Sequence, residues 1–409
     1  MEFFYGSISL LAVATITLVL ANQRPAISLI LASAFLLRTG AALFHSYIAP
    51  LPDGTADAVT FESQAWQWAQ GGLQEAIGQF AGLGADFYVW CLSLIYAFAG
   101  RSLLLLQSIS VLAGVLGVLA TWKLALELWG ERAAFKAAWV MAIFPAVVQY
   151  AALPLREALV VLFLVCGLIG LVRWARRGGL KPTVLTLCSF GAATCFHGGL
   201  FIAILAFLGL MLLQSVRSWL AGVSQQRVRI LAFLSLVLAL GLVVVYIGSG
   251  YSLPKLGTAE QMVSPERWFY YFTSRVQGDA AYPLWTQPQT CVDFLWAVPL
   301  RAVYLMFSPF PWDLQKLVHG LGLADGLVYL GLTILVVRNA KAVVQDRGAR
   351  VMLLVVLALI LAFGVGTGNF GTAIRHRAKL VPAVIVLASP MLPSVRLRSL
   401  QRPSERQPA

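Results

Sequence analysis

The sequence contains few charged residues for its length. Of its 409 residues only 11% are Asp, Glu, Lys or Arg, whereas 59% are hydrophobic. A soluble domain carries about 25% charged residues, so this chain cannot cover a water-facing surface of its own size. The low charge excludes a soluble enzyme and favours an integral membrane protein, whose structural unit is a bilayer crossing of about 20 apolar residues.

Cysteine is also scarce and forms no recognisable metal or redox motif. The five cysteines are scattered, without a CxxC pair or a Cys/His spacing that would bind a metal ion. Cys91 and Cys291 both fall in predicted outer loops, so a disulfide between them stays open. A cleavable signal peptide is not expected, because no basic segment precedes the first apolar run.

Long apolar runs are abundant, and they predict an all-α polytopic membrane protein with about 11 transmembrane helices. Helices are required because lipid offers no partner for free backbone N–H and C=O groups. The predicted spans are 4–20, 26–44, 103–123, 134–152, 157–173, 182–198, 199–216, 229–248, 322–337, 350–367 and 379–393. They form a single integral membrane domain over residues 1–393, followed by a basic tail over residues 394–409.

Positive charge is in excess, and its distribution predicts the orientation. The chain has 30 Lys and Arg against 17 Asp and Glu, a net charge of +13. Basic residues cluster in the connections 173–181, 217–229 and 338–350 and in the tail. The positive-inside rule places these segments in the cytoplasm of an inner (plasma) membrane protein and the N-terminus outside. Because topology accounts for the excess, nucleic acid is not an expected partner.

Two long connections, residues 45–102 and 249–321, then fall on the outer, non-cytoplasmic side. Long loops on a rigid scaffold are common places for function. Each holds a short apolar stretch, 87–99 and 294–307, with Trp and Tyr residues. We interpret both stretches as helices that lie along the outer interface. A pair of short, tilted spans is the alternative.

The first outer loop contains the main candidate for a general base. Its apolar residues recur with a helical period at Phe61, Ala65, Trp68 and Ala69. This pattern predicts a helix that begins near Asp57. A carboxylate there either stabilises the helix dipole or takes a proton from an acceptor hydroxyl. Asp53 and Glu62 are secondary candidates for the same role.

The second outer turn carries two opposite charges, Arg156 and Glu157, at the start of a membrane helix. Charged groups this close to hydrocarbon are costly and are candidates for function. The alternatives are structural roles, in which Glu157 interacts favourably with the helix dipole and Arg156 anchors the helix at the membrane interface.

The last outer loop, residues 364–379, combines glycines with a cluster of basic residues. The cluster comprises Arg375, His376, Arg377 and Lys379. Arginine suits phosphate because its planar donors match two oxygens at once. We therefore expect a lipid-phosphate site here, and further candidates to join it are Arg38, Arg275 and Arg301. His197, at the outer end of a helix, is a candidate base or phosphate donor, or is structural.

These elements resemble the GT-C superfamily of polytopic glycosyltransferases, which includes dolichyl-phosphate-mannose protein mannosyltransferases and bacterial lipid A aminoarabinose transferases. Asp57, Phe61, Ala65 and Gly71 are similar to the superfamily's Asp-x3-Tyr-x3-Ala-xn-Gly element, with Phe in place of Tyr. Further resemblance lies in residues 98–100, 128–134, 144–145, 308–313 and 369–377.

The resemblance implies a GT-C-like fold and an inverting transfer from a polyprenyl-phosphate-linked sugar on the non-cytoplasmic face. Asp57 would be the catalytic base, and Glu157 would be the acidic residue that such enzymes carry in the second outer turn and a second catalytic candidate. The residues that bind the lipid phosphate would be Arg156, Arg375, His376, Arg377 and Lys379. The acceptor would be a glycan, lipid or protein at the bilayer. The resemblance assigns no cofactor, and a divalent metal such as Mg or Mn stays open.

Two alternatives remain from the sequence. The first is a polysaccharide polymerase or ligase of the O-antigen type, which would act on polyprenyl-diphosphate-linked glycans with His197 or His376 as base. The second is a lipid-carrier flippase or transporter. Against the second, the polar residues gather at one face and no internal repeat is visible, whereas transporters place charged groups near the midplane between repeated halves.

Overall fold

A computed structural model describes residues 2–223, 257–274, 278–316 and 319–393, together with isolated residues between 234 and 252 and Val276. Most of these residues are helical, and they contain no β-strand, only an isolated bridge between Ala281 and Asn369. The prediction of an all-α polytopic protein is confirmed. The tail over 394–409 and most of the predicted span 229–248 lie outside the described residues.

The helices are numbered in chain order within the described residues. The first half contains α1 (Glu2–Gln23), α2 (Ser28–Tyr47), α3 (Asp57–Ala69), α4 (Leu73–Gly78), α5 (Ala85–Ala99), α6 (Leu103–Trp129), α7 (Glu131–Ile143), α8 (Pro145–Ala152), α9 (Glu157–Arg177), α10 (Leu180–Phe196) and α11 (Phe201–Val223). The second half contains α12 (Ala259–Val263), α13 (Pro265–Thr273), α14 (Phe294–Phe307), α15 (His319–Arg338), α16 (Ala340–Gln345), α17 (Arg347–Val365) and α18 (Phe370–Ala388).

Seven of the described helices are long and apolar enough to cross a bilayer, namely α1, α2, α6, α9, α11, α15 and α17. The pair α7 and α8 forms an eighth candidate, bent by 55°. Two further predicted spans correspond to α10, which is shorter, and to the second half of α18. The multi-pass architecture is thereby established, and the count of eleven stays a prediction.

The bend between α7 and α8 has a cause in the sequence. Pro145 has no N–H, so it cannot satisfy the carbonyl oxygen one turn before it. The guanidinium of Arg38 instead donates to the carbonyl oxygens of Met141 at 3.1 Å and Ala142 at 2.8 Å. Gly114 makes room for this side chain, since a Cβ there would lie 2.7 Å from Arg38 Nε. Arg38, expected in the outer basic group, is therefore a buried tie between α2 and the broken helix.

The two short apolar stretches are helices, as interpreted from the sequence. They form α5 and α14, and neither is long enough to be a candidate span. α5 packs on α3, and α14 packs between α17 and α18. Inside α14, Arg301 is fully buried and donates to the carbonyl oxygens of Phe272 and Thr367 at 2.9 and 2.8 Å. Like Arg38, it is engaged by backbone carbonyls of separate segments.

One prediction about the last outer loop was wrong. Residues 364–379 were expected to form a loop between two spans, but α18 already begins at Phe370. Asn369 caps this helix, because its side chain accepts a hydrogen bond from the backbone N–H of Thr372 at 2.7 Å. The basic residues therefore lie on a helix, and its periodicity decides which of them share a face.

All five cysteines are free in the structure, so no disulfide joins Cys91 and Cys291.

Candidate active site

Asp57 is the first residue of α3, as the hydrophobic period predicts. Phe61, Ala65 and Ala69 form the buried face of α3, whereas Trp68 is only half-buried. Phe61 contacts Tyr88 of α5 edge to face, with ring centroids 5.7 Å apart. This packing fixes α3 and leaves Asp57 at its open end. The N-cap residue of α3 is Ala56, so Asp57 is the first helical residue and not the cap, at a position where the helix dipole favours a negative charge.

Arg375 is the centre of the site, because it joins two carboxylates from different parts of the chain. Its Nη1 donates to Oδ2 of Asp57, and its Nε donates to Oε1 of Glu157 at 2.6 Å. The exposed fraction of the side chain is 51% for Asp57, 14% for Arg375 and 2% for Glu157. The arginine therefore lies between one accessible carboxylate and one buried carboxylate.

Lys379 follows Arg375 by one helical turn and lies on the same face of α18. Its Nζ is 3.5 Å from the Glu157 oxygen that also accepts from Arg375. Glu157 is the first residue of α9, where the helix dipole favours a negative charge. The buried carboxylate thus holds two cations of α18 against the start of α9.

Arg156 completes the charged cluster from the side of α9. Its Nη1 donates to the carbonyl oxygen of Phe196 at 2.9 Å, and its guanidinium lies 5.7 Å from the ring centre of Phe61. Both contacts hold the side chain beside Glu157, which is the next residue. The backbone geometry of this turn thus brings one more cation to the site.

Three buried polar atoms of this cluster have no hydrogen-bond partner among the described residues. They are Nη2 of Arg375, Nε of Arg156 and Oε2 of Glu157. Buried polar groups are nearly always satisfied, and an orphaned group calls for an explanation. Two unused N–H donors suit an anion, and one unused carboxylate oxygen suits a hydroxyl. The cluster can therefore take a ligand that carries both groups.

Arg377 and His376 point away from this face of α18. Arg377 is fully buried, pairs with Asp325 of α15 at 2.6 Å, and donates to the carbonyl oxygen of Ser308 at 2.6 Å. His376 Nδ1 lies 2.9 Å from Oγ1 of Thr367. The structure does not bring either residue into the Asp57–Arg375–Glu157 cluster.

The two candidate histidines lie together. The ring centroids of His197 and His376 are 5.4 Å apart in an edge-to-face arrangement, and both side chains are buried. The ring of Phe363 contacts both. This histidine pair packs behind the charged face of α18.

The secondary candidates are engaged elsewhere. Asp53 accepts a hydrogen bond from the hydroxyl of Tyr150 at 2.8 Å. Glu62 accepts two hydrogen bonds from Arg101, at 2.9 and 2.8 Å, and one from Tyr96. Arg275 lies outside the described residues.

The contacts of Glu62 also change its acidity. Burial alone raises the pKa of Glu62, but the hydrogen bonds from Arg101 and Tyr96 outweigh it and hold the pKa below its ordinary value. Glu62 thus joins α3 to Tyr96 of α5 and to Arg101, which lies just before α6. In this form it is poorly suited to accept a proton.

The sequence analysis missed three polar partners of the candidates. Tyr150, Arg101 and Asp325 were not singled out, although each contacts a residue that was. For Asp325 a signal existed, since it is an acid inside the predicted span 322–337, and such residues pair with others. Within the described ranges, no group of three or more His, Cys, Asp or Glu side chains could hold a metal ion.

Comparison with known proteins supports the resemblance that the motifs indicated. Residues 86–247 match the family model of dolichyl-phosphate-mannose-protein mannosyltransferase, which covers less than half of the chain. No curated protein matches the chain. The match confirms the similarity to the GT-C superfamily and supports a membrane glycosyltransferase.

Proposed function

The chain is similar to the membrane glycosyltransferases of the GT-C superfamily, and we propose the following reaction for it. The enzyme transfers a sugar from a polyprenyl-phosphate-linked donor to a hydroxyl acceptor, with inversion, on the non-cytoplasmic face. The observation that carries this proposal is Arg375, held between the accessible Asp57 and the buried Glu157. A base and a phosphate-binding cation are thereby adjacent in one site.

The proposed chemistry is a single displacement. The acceptor oxygen attacks the anomeric carbon while Asp57 removes its proton. The bond between the anomeric carbon and the phosphate oxygen breaks, and its electron pair leaves on the lipid phosphate. Arg375, Lys379 and Arg156 stabilise this charge, because fixed cations in a water-poor site act without reorganising.

Donor binding also frees the base in this scheme. In the structure Asp57 is ion-paired with Arg375. The donor phosphodiester carries one negative charge and two free oxygens, like a carboxylate, so it can compete for the same guanidinium. Asp57 is the carboxylate that exchanges, because it is exposed, whereas Glu157 is buried and keeps its bond to Arg375. The enzyme therefore binds donor before it activates acceptor.

The location of the basic connections supports the proposed face. Glu157 begins α9, and Arg173 and Arg176 lie near its other end, about 24 Å away at roughly 1.5 Å per residue. There Arg176 pairs with Asp346 of the basic connection 338–350 at 2.6 Å. By the positive-inside rule this end is cytoplasmic, so the Arg375 site lies toward the opposite face.

The test is a transfer assay in proteoliposomes with defined donors. The anomeric configuration of the product is then determined by NMR. The proposal predicts turnover of a polyprenyl-monophosphate sugar and a product of inverted configuration. A retained configuration would contradict it. Turnover of a diphosphate-linked glycan alone would establish the polymerase or ligase, and movement of lipid across the bilayer without a covalent product would establish the flippase.

A further inference from the structure

A second candidate binding site lies at the other end of α6 and α9. An open groove of about 710 Å³ runs between these helices and α10. Apolar side chains line most of it, among them Leu119 of α6 and Phe163 and Ile169 of α9. Both α6 and α9 are candidate spans, so the groove lies at the depth of the lipid hydrocarbon.

One end of the groove is cationic. Arg24, Lys123 and Arg173 line it, with a single acid, Glu127. Arg173 is paired with that acid, since its Nε donates a hydrogen bond to Oε1 of Glu127 at 2.9 Å. One basic residue of the groove is thus neutralised, and two are not.

The two remaining cations have no carboxylate partner among the described residues. Lys123 forms no hydrogen bond or ion pair with any described residue, and it is half-buried. The guanidinium of Arg24 lies 5.5 Å from the ring centre of Trp122 and forms no ion pair within the described part of the chain. Trp122 holds Arg24 beside Lys123, which is the adjacent residue. The end of the groove therefore has two positive charges available to an anion.

An apolar groove with a cationic end is complementary to an amphipathic anion. Basic pockets between membrane helices on the cytoplasmic side bind anionic lipid headgroups. We propose that this groove binds an anionic glycerophospholipid, with its phosphate at Arg24 and Lys123 and its acyl chains beside Leu119 and Phe163.

The lipid site is separate from the transfer site. Arg173 lies 16 residues after Glu157 on α9, or about 24 Å along the helix. A donor whose phosphate is held by Arg375 cannot place the same phosphate at Lys123. The proposal therefore does not depend on the reaction assigned to Asp57 and Arg375.

The test is a lipid titration of the purified full chain by native mass spectrometry. The probes are phosphatidylglycerol and phosphatidylcholine with identical acyl chains. The wild type should retain one phosphatidylglycerol more tightly than any phosphatidylcholine. The double variant Arg24→Gln/Lys123→Gln should lose about 30-fold in phosphatidylglycerol affinity, since each basic residue near an anionic headgroup contributes about fivefold.

A matched control removes two exposed basic residues of the same end that do not line the groove. Arg132→Gln/Lys341→Gln changes the net charge equally, and neither side chain forms an ion pair among the described residues. It should keep wild-type phosphatidylglycerol affinity. An equal loss in both double variants, or none in the groove variant, would overturn the proposal.

A competition arm identifies the occupant. Polyprenyl phosphate is added to the wild type loaded with phosphatidylglycerol. Retention of the phosphatidylglycerol supports a glycerophospholipid site. Displacement of phosphatidylglycerol from the wild type, together with polyprenyl phosphate binding that Arg24→Gln/Lys123→Gln weakens, would instead assign the groove to the polyprenyl carrier. Thermal unfolding of each variant checks that the fold is intact.

Discussion

Arg375 Nε donates a hydrogen bond to Oε1 of Glu157 over 2.6 Å, although 218 residues separate the two in the chain. The bond joins α18 to the start of α9, and both side chains are largely buried. Arg375 and Glu157 thus form the buried, fixed half of the site, and the accessible Asp57 forms the other half. The first prediction concerns this fixed half.

Replacement of Glu157 by Gln should destabilise the protein strongly. It removes the carboxylate that Arg375 and Lys379 share, and among the described ion pairs of Arg375 it leaves the one with the exposed Asp57. Removing one partner of a buried ion pair costs about 3–5 kcal/mol, because the other charge stays buried. Asp57→Asn, at the exposed side of the same arginine, should cost about 1 kcal/mol or less. Thermal unfolding in detergent compares the two, and equal losses would contradict the buried role of Glu157.

Arg375→Lys should fold but transfer poorly. Lysine keeps the charge but cannot bond two carboxylates or a phosphate through a planar fork. We expect a fall in kcat of about 100-fold, as for the loss of one fixed donor to a developing anion. Arg101→Lys alters another arginine fork of the outer segment and should leave kcat little changed. If the two variants had equal activity, Arg375 would have no role in the transfer.

The packing of Arg38 against the break between α7 and α8 can be tested by substitution of Gly114. A Cβ at Gly114 would lie 2.7 Å from both Arg38 Nε and Ala151 Cβ, so Gly114→Ala should cost about 1–3 kcal/mol by overpacking. Gly117, on the same helix, has its nearest neighbour at 3.8 Å. Gly117→Ala should therefore be neutral or stabilise by up to about 1 kcal/mol, because alanine favours a helix. Melting temperatures of the two variants give the sign of each change.

Glu62 should contribute to the pH dependence of stability. Because its pKa in the folded state lies below the ordinary value of 4.5, its contribution is present above that value and is lost as the pH falls through the folded-state pKa. The melting temperature of Glu62→Gln should fall less steeply with acidification below about pH 4.5 than that of the wild type. Parallel curves would show that the bond to Arg101 does not stabilise the fold.

Much of the fold follows from hydrophobicity, because long apolar runs must be helices in lipid. The sequence also selects Asp57, Glu157 and Arg375, since each is an ionisable group at a predicted membrane boundary. Their mutual contacts do not follow, because the pairs are 318 and 218 residues apart in the chain. Tertiary packing of α3, α9 and α18 brings them together, and no local pattern records it.

The basic residues at 375–379 lie on different faces of α18, and the sequence analysis did not predict this because it placed the start of that helix too late. Residues 364–379 read as a glycine-rich loop, in which all four basic residues could face one ligand. In the structure α18 starts at Phe370, so Arg375 and Lys379 share a face and Arg377 lies on another. Glycines in this segment concealed the helix start, which the cap of Asn369 determines. Recognition of the cap would have separated the two groups.

The most direct test of the proposed mechanism is Asp57→Asn, assayed for both transfer and donor binding, with Asp86→Asn as control. Asp86 is an acid of the same outer segment for which the structure records no ion pair among the described residues. Turnover by Asp57→Asn should fall by about 10²- to 10⁴-fold, the usual contribution of a general base. Donor affinity should be kept or increased, because Arg375 no longer has Asp57 as a competing partner. Turnover by Asp57→Asn equal to that of Asp86→Asn would contradict the account.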